Sequence, residues 1–340
     1  MTTNNNIQYN INTNKSTTIL AFNCYFIDFY NTIYKGGFFI MQSYIHTGLY
    51  SYNAMQYSIY VLLKRYYPLL RISTLNTTAD GRCIFCLKVG NPKGSKKILI
   101  VASCHGRKYI NSMLVMNQLK TLLEEQPPEL LTDCEVYIIP MLNPDGVSIS
   151  QFGIDAIHHK DIKLLVKNIL DTNVIHHRYW KSNALGVDIN RNFPTKSWCN
   201  FNDNVYTPSY KFFKGFDSNS EVETKAITEL CSTLKGLKMV VSYHSSGEEV
   251  YFNYGQSGQL WNDTIKILDA IQYQTRYSRA VPSIDGLGCS DWVVNCLNIP
   301  AITLETGIGD CPLSINEYPK IWRDNKNVLS NLISITAKEL

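Results

Sequence analysis

Two histidines and one glutamate of this chain have side chains that could perform hydrolytic chemistry together. His105, His244 and Glu305 each stand just past an apolar, β-branched run. Imidazole nitrogens are good zinc ligands, and a catalytic zinc ion has three protein ligands and one open position for water. Zinc-bound water ionises near neutral pH, and a nearby carboxylate can act as its general base. One histidine at a strand end is usually structural, but two in equivalent positions with a carboxylate in a third favour a metal site.

Four predicted strands must position these side chains. They cover Ile98–Ser103, Glu135–Leu142, Leu237–Tyr243 and Pro300–Leu304. Helical patterns alternate with the strands, which predicts an α/β fold with helices on both faces of one sheet. The side chains that follow the strands, Asn143 among them, should therefore meet at one sheet edge, where the ligand groups of open α/β sheets collect.

Three helices are predicted from their ends and periodicity. Residues 51–67 form an amphipathic pattern that ends at Pro68. Ser220 is expected to cap a second helix while Glu223 reaches back to the cap, as in a capping box. The last helix is predicted at residues 319–338.

Five short motifs occur in a fixed order along the chain. They are Cys104–Ile110 (CHGRKYI), Met141–Gly146 (MLNPDG), Gly186–Pro194 (GVDINRNFP), Tyr243–Ser245 (YHS) and Leu304–Gly307 (LETG). Each motif alone is a weak signal, but the ordered set resembles the zinc carboxypeptidases of the carboxypeptidase A family over roughly residues 100–310. The resemblance implies a single domain with a mixed, mostly parallel central sheet.

Three further segments resemble a bacterial branch of that family. They are Trp180–Asn183, Ser245–Glu248 and Cys311–Ser314. Some members of this branch cleave the γ-D-glutamyl–diaminopimelate bond of cell-wall peptides. A cell-wall peptide is therefore an expected substrate, by analogy alone.

The resemblance implies roles for the residues around a Zn²⁺ cofactor. His105 and His244 would bind the ion, and Glu305 would be the general base. Lys181 stands where the digestive members have an arginine that stabilises the oxyanion, and a cation there still opposes the developing negative charge. Asp145 would accept the second ring N–H of His105 and fix its tautomer.

The implied partner is a peptide with a free C-terminal carboxylate. Asn190 and Arg191 would bind this carboxylate, since guanidinium forks suit carboxylates bidentately. Ser290 lies where the specificity pocket of the family is expected, and its small polar side chain weakly disfavours a large apolar residue there.

Lys108 departs from the family pattern, which has a glutamate zinc ligand at this position. An ammonium about 4 Å from a divalent ion would be repelled by on the order of 8 kcal/mol at an effective dielectric constant of about 20. Three outcomes are open. Zinc could bind through the two histidines with water or another carboxylate such as Glu248, it could bind too weakly to serve catalysis, or Lys108 could itself replace the charge of the metal and hold a carboxylate.

Three functions follow from these alternatives. The leading expectation is a metallocarboxypeptidase that hydrolyses a C-terminal peptide bond. The alternative is a catalytically impaired pseudoenzyme that binds peptide carboxylates because Lys108 replaces the glutamate ligand. A third is a deacylase of N-acyl amino acids on the same scaffold, although the LETG motif favours the peptidase.

Composition and charge indicate an ordinary globular protein. The 340 residues are 45 % hydrophobic and carry a formal net charge of +4, so neither nucleic acid nor an anionic membrane is an expected partner. No apolar run reaches the length of about 18 residues that a membrane span needs.

The ends and the cysteines of the chain lead to two further predictions. Residues 1–40 are expected to be a poorly ordered extension, or to precede a true start at Met41, and residues 41–340 to form the catalytic domain. The ten scattered cysteines are expected to be free thiols of a reducing compartment. A cytoplasmic location is therefore predicted, with secretion as the open alternative.

Overall fold

A computed structural model of the chain describes residues 49–125, 128–201, 204–253, 256–280 and 287–340. The described residues belong to one unit, Leu49–Leu340. The predicted extension and its boundary at residue 41 lie outside them. No helix of the described ranges is long and apolar enough to cross a membrane.

An eight-stranded sheet runs through the centre of the described chain. Its strands are β1 Leu70–Thr77, β2 Cys83–Gly90, β3 Lys96–Ala102, β4 Cys134–Ile139, β5 Leu237–His244, β6 Glu249–Tyr251, β7 Ser278–Ala280 and β8 Ala301–Glu305. Their spatial order is β1-β2-β4-β3-β5-β8-β6-β7. The middle pairs β4–β3, β3–β5 and β5–β8 are parallel, whereas β1–β2, β2–β4 and β6–β8 are antiparallel. The predicted mixed, mostly parallel sheet is confirmed.

Helices connect most of these strands. They are α1 Tyr52–Tyr66, α2 Ile110–Glu125, α3 Pro144–Phe152, α4 Lys160–Asn173, α5 Val222–Thr233, α6 Gly258–Thr275, α7 Cys289–Trp292, α8 Tyr318–Asn325 and α9 Val328–Glu339. The single helix predicted at 319–338 is therefore two helices, α8 and α9.

A side-chain cap marks the start of helix α1 but not that of α5. The Ser51 hydroxyl accepts a hydrogen bond from the Ala54 amide at the start of α1. The prediction of a capping box for α5 is wrong. The residue directly before the helix is Glu221, and its side chain forms no capping hydrogen bond. Ser220 donates its hydroxyl proton to the Glu221 carboxylate instead.

Both faces of the sheet are buried. Leu99 and Val101 of β3 belong to one core cluster with Ile227 of α5. Successive side chains of a strand point to opposite faces, and Ile98 and Ile100 are as deeply buried as their neighbours. Apolar side chains therefore cover the sheet on both sides, which explains why its middle strands are continuous apolar runs.

The turn after β4 ties together the segments that carry the site. The Asn143 amide donates to the carbonyl oxygens of Cys104 and Ser182, both at 3.1 Å, and its Oδ1 accepts from the Gly146 amide at 2.8 Å. A Cβ atom on Gly146 would lie 2.3 Å from the Ser182 carbonyl oxygen, so this close approach requires glycine. The Asn-Pro-Asp-Gly motif thus fixes the chain next to His105 against the chain next to Lys181.

Candidate active site

The carboxyl ends of the parallel strands bring the predicted site residues together. His244 and Glu305 are the last residues of β5 and β8, and they are register partners in this parallel pair. His105 follows β3, the neighbour of β5 on its other side. The rings of His105 and His244 meet edge to face with centroids 4.9 Å apart. Three adjacent strands therefore deliver the three residues to one point.

The His105 ring is buried and oriented by a carboxylate. Its Nε2 lies 3.1 Å from Oδ1 of Asp188, and only 3 % of the residue is exposed. The carboxylate accepts a hydrogen bond from the Nε2–H group, so the lone pair of the neutral ring is on Nδ1. Nδ1 has no hydrogen-bond partner among the described residues.

The prediction that Asp145 orients His105 is wrong, because Asp188 has this role. The Asp145 carboxylate instead accepts from the Arg82 guanidinium at 2.8 Å and from the Asp80 amide at 3.0 Å. Both aspartates belong to quoted motifs, so the sequence contained the correct residue. Choosing between them required knowledge of which loop faces His105, and this depends on strand order.

Lys181 compensates the buried charge of Asp188. Its Nζ lies 2.7 Å from Oδ2 of Asp188. Burial alone would raise the pKa of the Asp188 carboxyl, but Lys181 and His105 hold that pKa well below its usual value. Burial lowers the pKa of His105 well below its usual value, and the Lys181 charge lowers it further. His105 is therefore neutral at neutral pH.

Lys108 fills the space between the other two site residues. Its Nζ lies 3.1 Å and 3.2 Å from the two carboxylate oxygens of Glu305 and 3.3 Å from Nδ1 of His244. Lys108 and His244 are 9 % and 2 % exposed. Burial lowers the pKa of His244 well below its usual value, with a further contribution from the Lys108 charge. The neutral ring accepts a hydrogen bond from the ammonium at Nδ1.

A cavity of about 420 Å³ opens onto these groups. It is lined by six of the predicted site residues, which are His105, Lys108, Lys181, Asn190, His244 and Glu305. Ser290 also lines the cavity, and its hydroxyl lies 2.9 Å from that of Thr303. The wall at this point is small and polar, as the sequence predicts for Ser290.

Asn190 lines the cavity, whereas its neighbour Arg191 is not among the described residues that do so. The Asn190 side chain accepts a hydrogen bond from the Cys289 amide at 3.1 Å. The Arg191 guanidinium stacks on Phe201 and Phe212, with 5.2 Å to each ring centroid.

Phe212 is a site-supporting residue that the sequence does not reveal. Its ring centroid also lies 4.8 Å from the Lys181 ammonium, so one aromatic ring contacts two of the predicted cationic groups. Nothing in the surrounding sequence distinguishes Phe212 from a core phenylalanine, because the contact depends on a loop that returns to the sheet edge.

The α/β sheet gathers two imidazoles, two carboxylates and two ammonium groups at its carboxyl edge. The sequence profile described as zinc carboxypeptidase matches residues 56–327. The chain belongs to the zinc carboxypeptidase family, whose members are metal-dependent hydrolases that act on peptides.

Individual relatives agree with this assignment. The chain is 25 % identical to gamma-D-glutamyl-L-diamino acid endopeptidase 1 of Lysinibacillus sphaericus over 81 % of its own length and 70 % of the relative's. It is also 25 % identical to the Bacillus subtilis protein YqgT, over 77 % and 72 % of the two lengths. The solved structure of thrombin activatable fibrinolysis inhibitor superimposes with a TM-score of 0.67 at 20 % identity, covering 85 % of this chain and 77 % of that one. The last comparison shows the common fold.

The family implies a zinc ion, but the residues present at this point do not fit it. Two imidazoles face the position where the metal is expected, and an ammonium lies where the third ligand belongs. Glu248, the alternative carboxylate, is ion-paired with Lys320 and does not line the cavity. Within the described ranges, no group of three or more histidine, cysteine, aspartate or glutamate side chains is arranged to hold a metal ion.

Proposed function

We propose that this chain binds peptides through a free C-terminal carboxylate and that its hydrolytic activity is impaired. The observation that carries the proposal is the position of Lys108, whose ammonium lies within 3.2 Å of both carboxylate oxygens of Glu305. A general base needs a free lone pair aimed at the proton that it abstracts. Glu305 instead forms an ion pair with Lys108, so the family's base is engaged within the protein.

The binding half of the site keeps the groups that a peptide terminus needs. Asn190 and Lys181 line the cavity, and Arg191 lies beside them with its guanidinium supported by two aromatic rings. Amide, ammonium and guanidinium groups all donate hydrogen bonds to a carboxylate. We propose Asn190 and Arg191 as the carboxylate ligands and Lys181 as the donor to the neighbouring carbonyl oxygen.

Cell-wall peptides are the proposed ligand class. Support comes from the Lysinibacillus sphaericus relative, which is named gamma-D-glutamyl-L-diamino acid endopeptidase 1. The small polar wall at Ser290 and Thr303 is compatible with a polar side chain at the peptide terminus.

Titration calorimetry with matched peptides tests the proposal. A peptide with a free C-terminal carboxylate should bind, whereas its C-terminal amide should bind about 10- to 100-fold more weakly, as expected for the loss of charge-assisted hydrogen bonds. Arg191→Ala should weaken the free peptide by a similar factor. Arg65→Ala, which changes an exposed arginine on α1, should leave binding unchanged. Equal affinity for the two peptides contradicts the proposal.

Zinc-dependent peptide hydrolysis is the second candidate function. It is favoured by His105, which lines the cavity and whose buried Nδ1 lacks a partner among the described residues. In this case Glu305 would be the general base after Lys108 moves away. Release of the C-terminal residue by the wild-type protein in zinc-supplemented buffer, lost in Glu305→Gln, would establish this candidate and refute the impaired enzyme.

A further inference from the structure

Two groups around the Lys108 ammonium are expected near a catalytic metal of this class, His244 as a ligand and Glu305 as the general base. Nδ1 of His244 lies 3.3 Å from Nζ, and the two oxygens of Glu305 lie 3.1 Å and 3.2 Å away. The Lys108 side chain is 10 % exposed and the Glu305 side chain 13 %. Lys108 is thus enclosed at the meeting point of β5 and β8 rather than extended into solvent.

Both histidines retain the tautomer that a metal requires. Asp188 accepts a hydrogen bond from the Nε2–H group of His105, so the lone pair on Nδ1 is available to a metal ion. Lys108 donates to Nδ1 of His244, so this nitrogen also carries a lone pair. Two of three metal ligands are therefore oriented in advance by the protein.

The net charge at this point is the same with the lysine as with a complete metal site. A divalent ion and one carboxylate ligand together carry a charge of +1, which is also the charge of one ammonium. In each case the charge is opposed by Glu305. Replacing the pair of metal and glutamate by a lysine therefore keeps the electrostatic balance of a site that is almost wholly removed from water.

We infer that Lys108 is an internal substitute for the metal ion and, among the residues that the structure describes, the one whose side chain prevents a zinc site from forming. The inference goes beyond peptide binding and holds whichever peptide the cavity accepts. It requires that the rest of the site remains competent, so that a carboxylate at position 108 creates a zinc site in one step.

Zinc titration of chelator-treated proteins, with a competing fluorescent zinc indicator and metal analysis by mass spectrometry, tests the inference without any peptide. Lys108→Glu should bind one zinc ion per chain about 100-fold or more tightly than the wild type, because a ligand replaces a repelling charge. Its unfolding temperature should rise with zinc, while that of the wild type should not. The second change His105→Ala should abolish this zinc binding.

Two control variants separate the possible causes. Lys108→Met removes the ammonium without adding a ligand and should bind zinc far more weakly than Lys108→Glu. Lys120→Glu makes the same change of charge on the exposed side of α2 and should behave as the wild type. Equal zinc affinity of Lys108→Met and Lys108→Glu would overturn the assignment of position 108 as the third ligand.

The wild-type protein decides the question even if Lys108→Glu does not fold. Uptake of one zinc ion by the wild type that His105→Ala abolishes would overturn the inference, and refusal of zinc by a folded wild type supports it. This result is independent of the peptide titration, so either proposal can fail alone.

Discussion

The site consists of two halves that contain the same three kinds of side chain in opposite arrangements. The His105 half comprises His105, Asp188 and Lys181, and the His244 half comprises His244, Glu305 and Lys108. In the His105 half the Asp188 carboxylate contacts Nε2 and pairs with Lys181, and Nδ1 has no partner among the described residues. In the His244 half the cation lies in front of the ring, on Nδ1 itself.

This difference shows that chemical composition alone does not decide whether such a site accepts a ligand. Both halves contain one imidazole, one carboxylate and one ammonium. The Asp188 carboxylate of the His105 half is wholly buried and compensates a cation, while Nδ1 of the ring has no partner among the described residues. In the His244 half, the Lys108 ammonium donates to the lone pairs of His244 and Glu305. The position of one ammonium therefore decides whether Nδ1 of the histidine keeps a free lone pair or accepts a hydrogen bond.

The largest expected effect comes from the buried anion of the His105 half. Asp188→Asn should lower the free energy of unfolding by about 3–5 kcal/mol, because Lys181 would become a buried cation without its counter-charge. Urea-induced unfolding at pH 7 measures this change. Asp155→Asn, at a carboxylate that is 91 % exposed, should change stability by no more than about 0.5 kcal/mol. A similar small effect of Asp188→Asn would show that Lys181 escapes to solvent.

The buried carboxyl of Glu223 lies outside both halves and serves as a comparison for the effect of Lys181 on Asp188. Burial raises the pKa of Glu223 from 4.5 to about 8, with a further contribution from the Asp145 charge, whereas Lys181 helps to hold that of Asp188 low. A raised pKa in the folded state means that the stability contribution is complete below pH 4.5 and is lost as the pH rises through about 8. Glu223→Gln should therefore be more stable than the wild type by about 2–4 kcal/mol at pH 9.

The measurement for Glu223 is a series of unfolding curves between pH 4 and pH 9. The advantage of Glu223→Gln should shrink steadily as the pH falls and vanish near pH 4. Glu229→Gln, an exposed position on the same helix α5, should show no such trend. An advantage that does not depend on pH would mean that packing, rather than charge, causes it.

The smallest effect is expected in the His244 half. Lys108→Met should cost about 1–2 kcal/mol of unfolding free energy, because Glu305 loses its ion pair but still lines the cavity. Glu305→Gln added to Lys108→Met should recover most of this loss. A double-mutant cycle of the two changes therefore measures their coupling. Strictly additive effects would contradict the ion pair that the geometry shows.

Several parts of the site were predictable because they depend on short stretches of chain. The apolar runs that end near His105, His244 and Glu305 predict strands, and parallel strands bring their carboxyl ends to one edge. The prediction of Asp145 as the partner of His105 failed for a different reason. Two motifs each contain an aspartate near a site segment, and only the packing of loops decides which one reaches the ring.

The amino-acid sequence alone is enough to recognise the residue types of the site, the order of its motifs, the α/β class of the fold and the lysine at position 108. Periodicity and turn chemistry are local, so they can be recognised without contacts. The contacts of the Lys108 ammonium with His244 and Glu305, and of Asp188 with His105, are visible only in the folded chain. These relations join residues more than 80 positions apart, and the burial that gives them their strength exists only once the chain has folded.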